Sequence, residues 1–288
     1  MKPFLDKGSE DVFFVHFLRI FIGLAGIFCL YGYWTNRQLQ LTQEKLTIKD
    51  LPQTMEGEHV IHLSDIHNGR LRVNKQKILK QIRLKHPALI LITGDTIDRT
   101  DDVSQSNLAT FINDLTTIAP TYLIEGNHER TSGQYQAWRQ LILKTNAVIL
   151  ENQATIAHIN HEPLTIIGLK NEETNLPQME LDKLALFPSV RLLLAHHPEK
   201  FLAYTKAFQR YPLTAIFSGH AHGGQVRLPF IDGLYSPDQG FLPKLVNGKY
   251  IDKSSGTTLF VSRGLSNSKF PFRIHNKPHI IDIELTSN

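Results

Sequence analysis

The chain opens on an apolar run with no helical or strand period. From Val12 to Trp34 almost every position is hydrophobic, interrupted by His16 and Arg19. A membrane helix needs about 20 such residues. The clean stretch, Ile20 to Trp34, is shorter, so Arg19 must snorkel toward the headgroups. Tyr31, Tyr33 and Trp34 form an aromatic belt at the other end. The pattern predicts a single uncleaved anchor over residues 1–34. A cleaved signal peptide would want a small-x-small site after the run, and none follows. A lipoprotein signal would place its lipid on Cys29, but bulky Phe28 precedes it. A buried soluble helix fits least, because the run is apolar around its whole circumference. Lys2, Lys7 and Arg19 lie toward one side and Arg37, Lys45 and Lys49 toward the other, so charge sets no orientation.

Past the anchor the pattern changes. Residues 35–54 are polar and read as a juxtamembrane connector. Residues 55–288 alternate short apolar runs with amphipathic stretches, the signature of one α/β domain. The runs predict strands at His59–Leu63, Ala88–Thr93, Thr121–Ile124, Leu164–Ile167, Arg191–Leu194, Thr214–Phe217, Thr258–Val261 and His279–Ile283. Helical spacing predicts helices over Asn74–Lys85, from Leu108 through Ile118, over Gln134–Lys144 and over Glu199–Gln209.

Composition narrows the classes. With 288 residues, 41% hydrophobic and 20% charged, the chain is neither disordered, collagen-like nor a coiled coil. Its one Cys excludes an internal disulfide framework and any Cys-based metal site. The net charge of +4 is unevenly spread. Residues 70–85 hold many Lys and Arg and no acid, which reads as a solvated helix face or as a contact for anionic headgroups. Residues 227–277 form a second basic region, in which Arg227, Arg263 or Arg273 could grip a phosphate or sit in structural ion pairs.

The 14 His change the picture most. Five predicted strands each end in polar, metal-competent residues: Asp65-Ile66-His67, Gly94-Asp95 with Asp98, Gly126-Asn127-His128-Glu129, His196, and Gly219-His220-Ala221-His222. Ligands of α/β sheets collect beyond the carboxyl ends of strands, so these loops can converge. Asp65 with His67, and His220 with His222, are two apart and can point the same way. Asp95 has two oxygens and can bridge two ions. Seven candidate ligands suit two ions, and with no thiolate among them the site is a hard-to-borderline N/O site.

These motifs resemble the calcineurin-like metallophosphoesterase superfamily. Ser218-Gly219-His220-Ala221-His222-Gly223-Gly224-Gln225 and the tail Phe260-Val261-Ser262-Arg263-Gly264-Leu265 with Pro271-Phe272-Arg273 resemble its membrane-anchored or exported bacterial branch. That branch includes enzymes cleaving the pyrophosphate of UDP-2,3-diacylglucosamine. The resemblance covers about residues 55–285. Two features depart from it: His197 follows His196 where a small polar residue is usual, and Gly168-Leu169-Lys170-Asn171 replaces an acidic turn.

The resemblance implies an α/β fold, a four-layer α/β/β/α sandwich with metals at one rim, preceded here by one N-terminal transmembrane helix. It implies two divalent metal ions (Mn, Fe or Zn). Asp65, His67, Asp95 and His222 would hold one; Asp95, Asn127, His196 and His220 would hold the other. Such a pair activates a water that attacks phosphorus in line. His128 is the candidate proton donor to the leaving oxygen, oriented by Asp98. The implied function is hydrolysis of a phosphoester or pyrophosphate on a lipid-linked or cell-envelope substrate, with no nucleic-acid partner. The domain would face the extracytoplasmic side of the cell membrane. A tethered metal-binding module without turnover, or a phosphodiesterase of soluble nucleotides, stands as the alternative.

Overall fold

The computed structural model describes residues 7–228, 230–267 and 273–288, with side chains from Val12 onward. Lys2, Pro271 and Phe272 lie outside the described residues. Helix α1 (Lys7–Thr35) carries an apolar span, Val12–Thr35, exposed from Val12 to Leu30, with Gly32 and Thr35 buried at its end. At about 1.5 Å per residue that span is about 36 Å long, enough for a hydrocarbon core of about 30 Å. Its end is tied to the domain. The Arg273 N–H donates to Asn36 Oδ1 at 3.0 Å, and Tyr31 Oη meets His275 Nδ1 at 3.3 Å.

The next elements are β1 (Gln40–Ile48), β2 (His59–Leu63), α2 (Lys75–Arg83), β3 (Leu89–Thr93), α3 (Leu108–Thr116), β4 (Thr121–Ile124), α4 (Asn127–Thr131), α5 (Tyr135–Leu143) and β5 (Val148–Ile149). Then come β6 (Gln153–Ile159), β7 (Glu162–Gly168), α6 (Gln178–Lys183), β8 (Arg191–Leu194), α7 (Phe201–Ala207) and β9 (Ala215–Ser218). The chain finishes with β10 (Tyr235–Ser236), β11 (Gly240–Phe241), β12 (Gly248–Ile251), β13 (Thr258–Val261) and β14 (His279–Ser287). The strands expected from apolar runs are present, and the last runs on to Ser287.

Two six-stranded sheets stack, in the orders β1-β14-β2-β3-β4-β5 and β12-β13-β9-β8-β7-β6. Period-two alternation builds the layers. On β3, Leu89 and Leu91 enter the core between the sheets, while Ile90 and Ile92 face the outer cluster with Ile78 of α2 and Phe111 of α3. On the second sheet, Leu192 and Leu194 face the inter-sheet core, and Leu193 joins Phe201 and Tyr204 of α7 outside. The result is the four-layer α/β/β/α arrangement.

Among the described residues, β1, β5, β6, β10, β11 and β12 lie outside the expected runs, and β1 and β6 are the longest of these. Residues 40–48, inside the stretch expected to be a connector, form the edge strand β1, paired in parallel with β14 from Gln40↔His279 to Ile48↔Ser287. Their apolar residues change face midway: Leu41 packs on the outer cluster, Leu46 and Ile48 on the inter-sheet core. Neither face therefore reads as continuously hydrophobic. Strand β6 pairs antiparallel with β7 through the turn Asn160-His161, both with positive φ of 48° and 72°. That is a two-residue hairpin turn closed by His in place of the usual Gly.

Candidate dinuclear metal centre

The loops after β2, β3, β4, β8 and β9 meet at one end of the two sheets. Close backbone approach holds them together. Gly94 has φ +87°, and a Cβ there would lie 2.7 Å from the Gly126 Cα. A Cβ on Gly219 would lie 1.8 Å from Ser64 Oγ and 2.5 Å from Asp65 Oδ2. Glu129 binds two loops from below. It is fully buried and accepts hydrogen bonds from the N–H groups of Asp95, Thr96, Ile97 and Gly126, and from Thr96 Oγ1. Burial pushes its carboxyl up, to about 7, while the N–H donors favour the ionised form.

Strain marks the same loops. Asp65, His67, Asp95, His220 and His222 all have positive φ, between 38° and 63°. None is glycine, so each is a costly conformation held by its surroundings.

All seven expected ligands come together, and their free atoms face each other. Asp65, His67, Asp95 and His222 form one buried group; Asp95, His196 and His220 form an adjoining one. His67 Nδ1–H donates to Ile97 O at 3.2 Å, and His222 Nδ1–H to Ser266 O at 3.2 Å. Burial lowers both rings, His67 to about 4, so each Nε2 carries a bare lone pair. The two Nε2 atoms lie 3.4 Å apart.

The second group is arranged likewise. His196 Nδ1–H donates to Thr93 O at 2.7 Å. Its Nε2 lies 3.4 Å from Asp95 Oδ2, 3.1 Å from Asn127 Oδ1 and 3.3 Å from His220 Nδ1. His220 Nδ1 is also 2.9 Å from Asn127 Oδ1, while its Nε2–H donates to Asp238 Oδ2 at 2.8 Å. Burial lowers His196, but Asp95 and its hydrogen bond outweigh it and push the ring to about 10. The proton thus sits where three acceptors converge, in a cation's place. The donors fit two divalent cations sharing Asp95, which burial raises but His196, His67 and His128 hold well below the usual carboxylate range.

His128 lines the cleft of ≈ 130 Å³ above the ligands, with Arg99, Gln225, Tyr235 and Pro237. Its Nδ1 has two neighbours that exclude one another. The Arg99 N–H donates to it at 3.1 Å, which suits the neutral ring. Asp98 Oδ2 lies 3.2 Å away, which suits the imidazolium. Burial lowers His128, against Asp95 and Asp98. Asp98 is itself fixed by Thr100 Oγ1 at 2.6 Å and by Arg70 at 3.0 Å.

Sequence reasoning gave no role to Glu129, Asp238 or Arg99. Glu129 stood inside a quoted motif; Asp238 lies in a loop without period and had no local signal. The second basic region is used internally. Arg263 donates to Asn247 and Gln40, Arg273 to Arg263 O and Ser266 O, and Arg227 to Asp232. In the first region, Lys85 pairs with the buried Asp282 at 2.9 Å and Lys75 donates to Asn68 and Asn107, whereas Lys77, Lys80 and Arg83 are exposed. The two departures from the expected pattern meet each other: His197 Nε2 and Asn171 Oδ1 are 2.8 Å apart, with Glu199 at 2.8 Å from Nδ1.

Residues 58–224, more than half of the chain, match the family model described as calcineurin-like phosphoesterase. The chain is 26% identical to the uncharacterized metallophosphoesterase YkuE of Bacillus subtilis, over 88% of each chain. It is 24% identical to the phosphodiesterase YaeI of Escherichia coli, over 78% of this chain and 81% of that one. A transmembrane protein with metallophosphoesterase domain from Bos taurus is 26% identical, over 85% of this chain and 56% of its own length. A dimetal phosphatase from Danio rerio shares the fold, at TM-score 0.51 and 12% identity over 80% of this chain and 93% of that one.

Proposed function

The chain belongs to the calcineurin-like phosphoesterase family, and from that premise we propose a phosphoester hydrolase fixed to the cell membrane that acts on a lipid-linked or cell-envelope phosphoester or pyrophosphate. The family uses two divalent metals. In our reading Asp65, His67, Asp95 and His222 hold one, and Asp95, Asn127, His196 and His220 hold the other. The observation that carries this is the convergence of ring nitrogens and carboxylates on two points that share Asp95. Two cations there supply Lewis-acid activation of water and neutralise charge on the phosphoryl oxygens.

The chain's own residues do the rest. His128 presents Nε2 to the cleft and gives a proton to the leaving oxygen. Asp98 Oδ2 holds the Nδ1–H of the imidazolium that donates it. Arg99, beside His128 in the cleft, carries a cation suited to a phosphoryl oxygen. Tyr235 and Pro237 cover the site from one side.

The apolar span of α1 supports single-pass membrane attachment, and relatives named as transmembrane proteins support it too. The absence of Cys after the anchor is compatible with an extracytoplasmic domain. Within the family we favour the branch that cleaves UDP-diacylglucosamine-type pyrophosphates. The test is a substrate panel on the full chain in detergent or nanodiscs, loaded with manganese, iron or zinc. Preference for lipid-linked pyrophosphates or envelope polymers over soluble nucleotides is expected. Higher kcat/KM on soluble nucleotides would replace this substrate class with a soluble phosphodiesterase.

A further inference from the structure

One stretch of the domain joins the anchor's end to the wall of the metal cleft, and it displays large apolar side chains to solvent. His275, which meets Tyr31 of α1, lines a surface cleft together with Arg227, Leu228, Phe230 and Ile231. Phe230 is fully exposed. The chain then returns beside the metal loops: Leu234 N–H donates to Gly224 O and Val226 O. It forms the β10–β11 hairpin, in which the Tyr235 ring packs edge-on against Phe241. Tyr235 lines the metal cleft, while Phe241 and Leu242 are 77% and 61% exposed to solvent.

The surroundings match a membrane interface. At the anchor's end Arg37 stacks 3.5 Å over the Tyr33 ring, and Lys277 lies 6.0 Å from the Trp34 ring. Cations beside Tyr and Trp at the end of an apolar span mark the headgroup level. The apolar stretch is continuous with that level through His275. Exposed Phe and Leu beside basic residues are the composition of a segment that dips into the headgroup and acyl boundary.

We propose that Leu228, Phe230, Phe241 and Leu242 form a lip that docks onto the bilayer entered by α1, so that the metal cleft opens at the membrane surface and takes the phosphoester headgroup of a membrane-resident amphiphile. This inference rests on the reading of α1 as a membrane anchor. The lip commits the occupant to lipid: Leu228 and Phe230 share a cleft with His275, which meets Tyr31 at the end of the span, and a bilayer must come there if α1 crosses it.

The test uses the full chain with Cys29→Ser, reconstituted in phosphatidylcholine–phosphatidylglycerol vesicles. An environment-sensitive fluorophore is placed on Phe230→Cys, on Phe241→Cys, or on Leu186→Cys as control. Leu186 is exposed and precedes β8, at the end of the sheet away from the metal loops. Vesicle flotation reports the anchor; quenching by nitroxide-labelled lipid reports the lip; melting temperature checks each variant's fold. Flotation together with loss of about half the emission at 230 and 241, and little loss at 186, is the expected result. Flotation with all three probes alike would overturn the docking and leave the anchor standing. A blue shift at 230 and 241 without lipid quenching would mean a protein covers the lip, and would also overturn it. Failure to float would overturn both readings.

Discussion

His67 Nε2 and His222 Nε2 face each other at 3.4 Å with no proton to share, because each ring has spent its one N–H on a backbone carbonyl. Two lone pairs at that distance repel unless a cation lies between them. The tautomers are set by Ile97 O and Ser266 O, so these two carbonyls help build the site as much as the ligands do.

Metal removal should therefore destabilise the fold. Stripping the full chain with a chelator is expected to lower its melting temperature, since metal at 100 times its Kd stabilises by about 2.7 kcal/mol. The Asp95→Asn variant should bind less than half the metal of the wild type, because Asp95 lies in both groups. Elemental analysis finding two ions per chain in that variant would disprove the sharing.

His128→Ala is expected to lower kcat on bis(p-nitrophenyl) phosphate by roughly 10²–10⁴ with metal content unchanged. Asp98→Asn should lower kcat less than that, since Arg99 N–H still orients the ring. Full turnover in His128→Ala would remove the proton-donor role.

Glu129→Gln places an amide NH₂ against backbone N–H groups that now donate to a carboxylate. A loss of about 1–3 kcal/mol in stability follows from one buried, unmatched polar group. Calorimetric titration should show weaker metal binding as well, because the loops of Asp95 and Asn127 lose their common tie. Unchanged melting and binding would show that the tie is dispensable.

Acid sensitivity has an identifiable source away from the metals. His62 is buried between the sheets, its Nε2 2.8 Å from Thr93 Oγ1 and its ring edge-on to Phe217. Burial lowers it from 6.5 to about 3. The unfolded chain then binds a proton that the folded chain refuses. Stability from this group is full above about pH 6.5 and declines as pH falls toward about 3. Urea midpoints of His62→Gln should drop less than those of the wild type between about pH 7 and about pH 4.5. Equal drops would assign the acid limb to other groups.

His197 and Asn171 should be coupled. Glu172 Oε1 also lies 3.2 Å from the same Nε2 and Asn171 is only half-buried, so the paired Ala variants should be non-additive by about 0.5 kcal/mol, the low end for residues in contact. Additive effects in a double-mutant cycle would mean that the contact has no energetic content.

The sequence by itself determined the strand runs of the core, the long apolar N-terminal span, the polar clusters that end five strands, and through them the family. These are local properties: an apolar run, a spacing of two, a Gly-Asp or Gly-Asn-His step. Tertiary structure alone decided the rest. Strand β1 exists because β14, more than two hundred residues later, offers its edge. Asp238 matters because its loop brings it onto His220 Nε2. Five ligands hold positive φ because packing and hydrogen bonds from other loops enforce it. The free ring nitrogens face inward because carbonyls distant in sequence consume the opposite ones. Local chemistry names the atoms able to bind a cation. Which of their lone pairs remain free, and where they point, depends on partners that only the folded chain brings together.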